Sequence, residues 1–500
     1  MLIFFSSLKS LYKLITIGLF LSLVGCQEKK VIQEAYAPKP IKANGVLEYL
    51  HKMLEEPELK GASLGLYVTT LGKDSSLVAY MPEVSLATAS TLKALTTATA
   101  INILGKDYRF ETEIAYSGQI DDKGTLNGNL YLIGGGDPTL GSDNMPSLMD
   151  FLANRVIEKG IKNVEGSLIG DASIFDTRLA ANTWIWEDVG NYYGAGPSGL
   201  TIHLNQYSIY FKTGIKEGDP TEIVKIVPDV KNLTIKNEVT TGKKRSGDNA
   251  YIYGGPFNNK KIVRGTLPPG HASFMIKGAL PEPSNFCTSY FFNTLQKKGV
   301  TFSKPIQLQF QQEKKSNSLT TIYTQKSNPL SQIIKETNFK SINLYADAML
   351  KLLGNKKGKE GSFKEGVNVI KDFWGKEGID MENIIIEDGS GLSRYNAVSA
   401  HTMTEIIRHT VLKDSSKAFI NSLPIVGKSG TLKNISKNGI SNGRIKAKSG
   451  YIKNVRAYTG TITTFSEKEL VFTLLINNHT KSYREMTTNI EDIFDLLVRL

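Results

Sequence analysis

Ser90-Thr91-Leu92-Lys93 opens a run rich in alanine and threonine that reads as a helix from Thr88 to Leu104. Residues three apart on a helix share a face, so an unprotonated Lys93 could take the Ser90 proton and make that hydroxyl a nucleophile. Ser341-Ile342-Asn343, preceded by Lys340, offers a hydroxyl that could relay a proton to a leaving amine and an amide that could hold a substrate carbonyl. Lys448-Ser449-Gly450 ends a run that reads as a strand. There a cation and a hydroxyl could meet a terminal carboxylate, while Gly450 admits an extended peptide at close range. The backbone N–H groups of Ser90 and Tyr451 could then form an oxyanion hole. Taken alone, the first pattern is better explained by an exposed helical lysine and the third by an ordinary strand end, and the second equally well by a polar helix face. Their order along one chain points to acyl transfer.

These residues need elements to hold them. Serine and asparagine are poor helix-interior residues, yet Ser341 and Asn343 fall inside a helical pattern from Pro329 to Leu353. Such local conflict is where function is often found. Other helices are expected over Gly45–Glu55, Pro283–Lys298 and Phe363–Glu377, with a strand over Ser63–Thr70. The runs Gly443–Lys448, Val455–Thr464 and Glu469–Asn477 read as an antiparallel meander closed by a helix from Tyr483 to Leu500. Between about 107 and 275 the pattern changes to short strands separated by Gly, Asp, Asn and Pro turns, which predicts an inserted, mostly β lobe or pair of lobes. Two further motifs are set aside. Gly61-Ala62-Ser63-Leu64-Gly65 matches G-x-S-x-G but is followed by a strand instead of a helix. Lys428-Ser429-Gly430-Thr431 repeats K-S-G but precedes a polar loop, so Lys448 is preferred on strand context.

The ends and the composition narrow the class. Lys9 and Lys13 precede the apolar run Leu14–Val24, and Leu23-Val24-Gly25-Cys26 follows the pattern of a bacterial lipoprotein signal in which Cys26 is lipidated. Residues 27–43 are polar, hold two prolines and suit a tether. With Cys26 so used, Cys287 stands alone and no intramolecular disulfide is available. The six histidines show no paired ligand spacing, so no metal site is expected. At 500 residues and 40% hydrophobic content the chain should fold into two to four lobes. The net charge of +12 comes without a nucleic-acid-binding motif, which leaves a solvated basic surface or attraction to anionic envelope polymers.

Several segments together resemble the D-alanyl-D-alanine carboxypeptidase/endopeptidase family of class C, low-molecular-mass penicillin-binding proteins, peptidase family S13. They are A-S-T-L-K at 89–93, G-G-G-D-P-T-L at 134–140, G-D-A-S-I-F-D at 170–176, N-P-L-S-Q-I-I-K-E at 328–336, S-I-N-L-Y-A-D at 341–347, D-G-S-G-L-S-R at 388–394 and A-K-S-G at 447–450. The resemblance implies an α/β (α+β) fold: a penicillin-binding transpeptidase or β-lactamase-like domain interrupted by a long β-rich insertion. Lys93 and Ser341 lie 248 positions apart, too many for an ordinary serine β-lactamase but fitting that insertion. The expected organisation is a signal at 1–26, a tether at 27–43, a discontinuous catalytic domain at 44–106 and 276–500, and the insertion at 107–275. One departure is Ser449 where the family usually has threonine; the hydroxyl survives.

The resemblance further implies a serine-type hydrolase that cleaves peptidoglycan stem peptides or cross-links through an acyl-enzyme on Ser90, with β-lactams as covalent inhibitors and no cofactor. It also implies that the insertion binds the peptide's diamino-acid side chain. Trp184-Ile185-Trp186-Glu187-Asp188 resembles the segment involved, with Asp188 or Glu187 as partner for an ammonium group. The expected location is the cell envelope, lipid-anchored and facing the periplasm; Gln27 after the lipidated cysteine is compatible with the outer membrane. Two alternatives remain, a β-lactamase or esterase on the same fold and a non-catalytic wall-binding scaffold. The balance of carboxypeptidase and endopeptidase activity and the oligomeric state are not encoded in any motif.

Overall fold

The computed structural model describes residues 38–500 apart from 73–74, 143–144, 146 and 312–318. The signal, Cys26 and most of the expected tether therefore lie outside the described residues. A five-stranded antiparallel sheet organises the catalytic body, in the order Ser76–Tyr80, Ser63–Thr70, Glu469–Asn477, Val455–Thr463, Ile445–Ile452. The central strand Glu469–Asn477 is almost wholly apolar because both of its faces are covered. Phe472, Leu474 and Ile476 meet the helices Ala43–Leu54 and Tyr483–Leu497 on one side. Leu475 meets Ala400 and Leu86 on the other. Ser482 and Glu485 form a capping box that fixes the start of the last helix.

The second core lies beyond that sheet. It gathers Leu92, Leu95 and Ala98 of the helix Leu92–Leu104 with Leu344, Tyr345 and Met349 of Asn343–Lys357 and Met403, Ile406 and Ile407 of Ala400–Lys413. The helix Leu92–Leu104 is buried all round through Ile101, which its alanine and threonine content permits without crowding its neighbours.

Two expectations need correction. The helix expected from Pro329 to Leu353 is two helices, Leu330–Lys340 and Asn343–Lys357, because Ser341 adopts a left-handed conformation (φ 58°, ψ 43°) that ends the first. The expected return to the catalytic body at 276 also comes later. The helix Pro283–Lys297 packs its Cys287, Phe291 and Leu295 into the core of the insertion. Thr301–Phe302, Gln307–Gln309 and Thr320–Lys326 pair with the insertion strands Asn163–Val164, Leu168–Asp171 and Glu111–Tyr116. The chain rejoins the catalytic core at Leu330. Short strands that complete a sheet begun two hundred residues earlier carry no local sign of their partner.

The insertion holds two cores. One is built on the mixed sheets just described with the helices Leu148–Glu158 and Pro283–Lys297. The other is a sandwich of two three-stranded sheets around Tyr207, Ile209, Phe211, Ile252 and Val263.

Candidate active site

Ser90 lies in a 3-10 turn, Ala89–Thr91, that runs directly into the helix Leu92–Leu104. Ala89 immediately before it has φ 45°, a left-handed conformation costly for a residue with a side chain. Two glycines hold that turn in place. A Cβ on Gly391 would stand 1.8 Å from the Ala89 carbonyl oxygen, and one on Gly450 would stand 2.6 Å from that of Thr88. Both positions therefore require glycine for close approach of backbone to backbone.

The Lys93 ammonium, fully buried, donates to Ser90 Oγ at 2.9 Å and to the Ser390 carbonyl at 2.6 Å. Burial pushes its pKa down to about 8, with the carboxylates of Asp347 and Asp388 resisting that shift. Asp347 is itself buried and is pushed up by burial and by the charge of Asp388, while Lys93 holds it down. A lysine with a lowered pKa beside a serine hydroxyl is what a general base near neutral pH requires.

Ser341 and Asn343 flank the break between the two helices, and the break aims them. Lys448, also fully buried, donates to Ser341 Oγ at 3.0 Å and to the Ser449 carbonyl at 2.7 Å. Burial holds Lys448 well below the usual lysine range, and the charge of Lys93 adds to the effect. The two serine hydroxyls thus each meet one buried lysine. Asn343 Nδ2 donates to the Tyr193 carbonyl at 2.7 Å, so this amide ties the site to the insertion and keeps one N–H for another acceptor.

Lys448-Ser449-Gly450 lies within the strand Ile445–Ile452 instead of at its end as expected, since Gly450 serves close packing and not a turn. That strand is the edge of the sheet. Ala447 N–H donates outward to the Pro424 carbonyl at 2.9 Å. Alternate residues of a strand point to the same edge, so the N–H groups of Ser449 and Tyr451 face outward too. The edge from Ser449 to Tyr451 can therefore pair an extended peptide. The second K-S-G is not part of the site through its lysine: Lys428 is exposed in a turn. Thr431, the last residue of that motif, instead places its Oγ1 2.7 Å from Ser449 Oγ.

Sequence reasoning quoted residues 388–394 only as a point of resemblance and gave this loop no part in holding Lys93. In Asp388-Gly389-Ser390-Gly391, Asp388 Oδ1 accepts from Gly391 N–H at 2.7 Å, and Oδ2 accepts from Ser393 N–H at 2.7 Å and Trp184 Nε1 at 2.8 Å. Gly389 N–H donates to Asp347 Oδ1 at 2.8 Å. The loop presents the Ser390 carbonyl to Lys93 and couples it to Trp184 of the insertion. Two carboxylates inside otherwise glycine-rich or apolar motifs were the available signal.

Asp188 is buried, whereas Glu187 is exposed. Burial raises the Asp188 pKa, opposed by the nearby Arg394 charge and a hydrogen bond from Tyr193. Its Oδ2 has no hydrogen-bond partner among the described residues. Among the same residues no cluster of histidine, cysteine, aspartate or glutamate could hold a metal ion.

A sequence model of the D-Ala-D-Ala carboxypeptidase 3 (S13) family matches residues 46–498. The D-alanyl-D-alanine carboxypeptidase of Actinomadura sp. (strain R39) is 28% identical over 445 residues, covering 86% of this chain and 81% of that protein. The crystal structure of penicillin binding protein 4 (dacB) from Haemophilus influenzae superimposes with a TM-score of 0.78 at 23% identity, covering 91% of this chain and 98% of that one. A structure of the same protein complexed with a novel beta-lactam gives a TM-score of 0.72 at 23% identity, covering 90% and 98%. These structures establish the shared fold.

Proposed function

The chain belongs to the D-Ala-D-Ala carboxypeptidase 3 (S13) family, and on that footing we propose that it is a serine-type D-Ala-D-Ala carboxypeptidase working through an acyl-enzyme on Ser90. The observation that carries this is the pairing of Lys93 Nζ with Ser90 Oγ at 2.9 Å beside that of Lys448 Nζ with Ser341 Oγ at 3.0 Å. The neutral Lys93 amine takes the Ser90 proton as Oγ attacks the D-Ala carbonyl. The oxyanion is met by the N–H groups of Ser90 and Tyr451. Lys448 and the Ser449 hydroxyl hold the terminal carboxylate, and Ser341 passes a proton to the leaving amine. Water then releases the acyl group. A β-lactam ring opened by the same attack leaves its ester on Ser90.

The substrate is the stem peptide of peptidoglycan, and the unpartnered Asp188 Oδ2 suits the ammonium of its diamino-acid side chain. Cleavage of cross-links follows the same chemistry with a larger leaving amine. Digesting purified peptidoglycan and reading the muropeptides by mass spectrometry tests this: loss of one D-alanine from pentapeptides is expected, and unchanged muropeptides contradict it. The lipoprotein pattern ending at Cys26 supports a lipid anchor facing the periplasm. Cys26→Ser should then release the protein from membranes, and unchanged partitioning with an unmodified N-terminus counts against an anchor.

A further inference from the structure

The insertion carries a cleft of about 520 Å³ that takes no part in the acyl transfer described above. Trp186 and Tyr253 form its aromatic wall, with ring centroids 6.5 Å apart and planes inclined by 33°. Of the chain's three tryptophans, Trp374 and Trp184 are 0% and 7% exposed, whereas Trp186 is 60% exposed. An indole left in water beside a concavity is a typical contact surface for a ligand with one apolar face.

The polar groups around the rings are mostly donors. Lys261 is 3% exposed and donates to the carbonyls of Gly254 and Gly255 at 2.9 Å each, which leaves its third N–H. Lys236, Asn258 and Lys260 complete the rim. The walls are preformed: a Cβ on Gly190 would stand 2.0 Å from the Ile252 carbonyl, and Ile252 N–H donates to Asn191 Oδ1 at 3.0 Å. The short helix bearing Trp186 is thereby fixed on the strand bearing Tyr253.

We propose that this cleft is a subsite for the amino-sugar strand of peptidoglycan. A pyranose ring offers an apolar C–H face to Trp186 and Tyr253, and its hydroxyl and acetamido oxygens are acceptors for the donors of Lys261, Asn258 and Lys260. Trp186 is two residues from Asp188, so one segment would read both the sugar strand and the peptide hanging from it. The proposal rests on the peptidoglycan substrate inferred above.

The test is a titration of the full-length protein with the β-1,4-linked tetramer of N-acetylglucosamine, followed by tryptophan emission and calorimetry. A saturable emission change is expected, and Trp186→Phe should remove it. Tyr253→Ala keeps the reporter and should weaken the affinity about tenfold. Asn258→Ala, at an exposed position, serves the same purpose if Tyr253→Ala melts early. Both variants should hydrolyse a free pentapeptide at the wild-type kcat/KM while losing any preference for the same peptide attached to sugar. Absence of saturable binding by either readout, or wild-type affinity in both folded variants, overturns the proposal. So does binding of polyphosphate with none of the tetramer, which would make the cleft an anion site. Failure of the wild type to hydrolyse the free pentapeptide would instead overturn the enzymatic reading, with sugar binding measured separately.

Discussion

Two buried lysines sit against two serine hydroxyls, and their protonation sets the working range of the site. Lys93 acts as a base only when neutral. Because burial lowers its pKa to about 8, penicillin acylation should climb as pH rises from 6 towards 8 and then level off. The limb belongs to the coupled cluster of Lys93, Lys448 and Asp347 and not to one residue. A stopped-flow profile measures it; a rate flat from pH 6 to 9, or a limb near the ordinary lysine value, would contradict the assignment. The two K-S-G motifs separate by the same logic. Lys448→Ala removes a buried charge-assisted contact and should slow acylation roughly 30-fold or more, whereas Lys428→Ala at its exposed turn should do far less. The reverse ranking would mean that the wrong lysine has been chosen. Ser90, Lys93, Ser341, Asn343 and Lys448, which the fold brings together, were legible as a set in the sequence because three short patterns occur in order. Asp347 and Asp388 were given no role there, because the partners that tie them into the site come from distant parts of the chain: Gly389 N–H for the first and Trp184 Nε1 for the second.

Elements aim these side chains by being interrupted. The left-handed Ser341 ends one helix and Asn343 begins the next, and the poor helix preference of both residues announced the conflict. What composition alone did not show is that the conflict is resolved by a break instead of a strained continuous helix. Ser341→Gly should therefore leave the melting temperature at or above that of the wild type, relieving about 1 kcal/mol of backbone cost, while acylation or turnover falls at least about tenfold. Calorimetry alongside a penicillin-binding rate checks this. A large loss of stability in the glycine variant would show that the hydroxyl, and not the conformation, holds the break. The strand Ile445–Ile452 repeats the lesson: Gly450 looks like a strand end in sequence, and only the approach of Thr88 and Thr91 explains a glycine in mid-strand.

The molecule is held together across the insertion by contacts that local patterns do not reveal. Lys351, with its side chain 0% exposed, donates to Asp176 Oδ1 at 2.7 Å and to the Arg178 carbonyl, with the Phe363 ring centroid 4.9 Å away. Trp184 reaches Asp388 and Asn343 reaches Tyr193, so the loop beside Lys93 and the helix break at residues 341–343 are both tied to the inserted segment. Lys351→Ala removes the buried donor to Asp176 and the Arg178 carbonyl and should cost about 2 kcal/mol, read by denaturant titration. A change below about 0.5 kcal/mol would show that the pair is not a structural tie. That a β-rich insertion exists was legible from its turn spacing. Its far boundary was not, because Thr320–Lys326 pairs with Glu111–Tyr116 across two hundred residues. The central claim for the whole molecule, that this assembly forms an acyl-enzyme on Ser90, is tested most directly by a gel of wild type and Ser90→Ala labelled with fluorescent penicillin, each first shown to be folded by its melting curve. The wild type should carry the label and the folded Ser90→Ala variant should carry none; a folded Ser90→Ala variant that still labels would contradict the account.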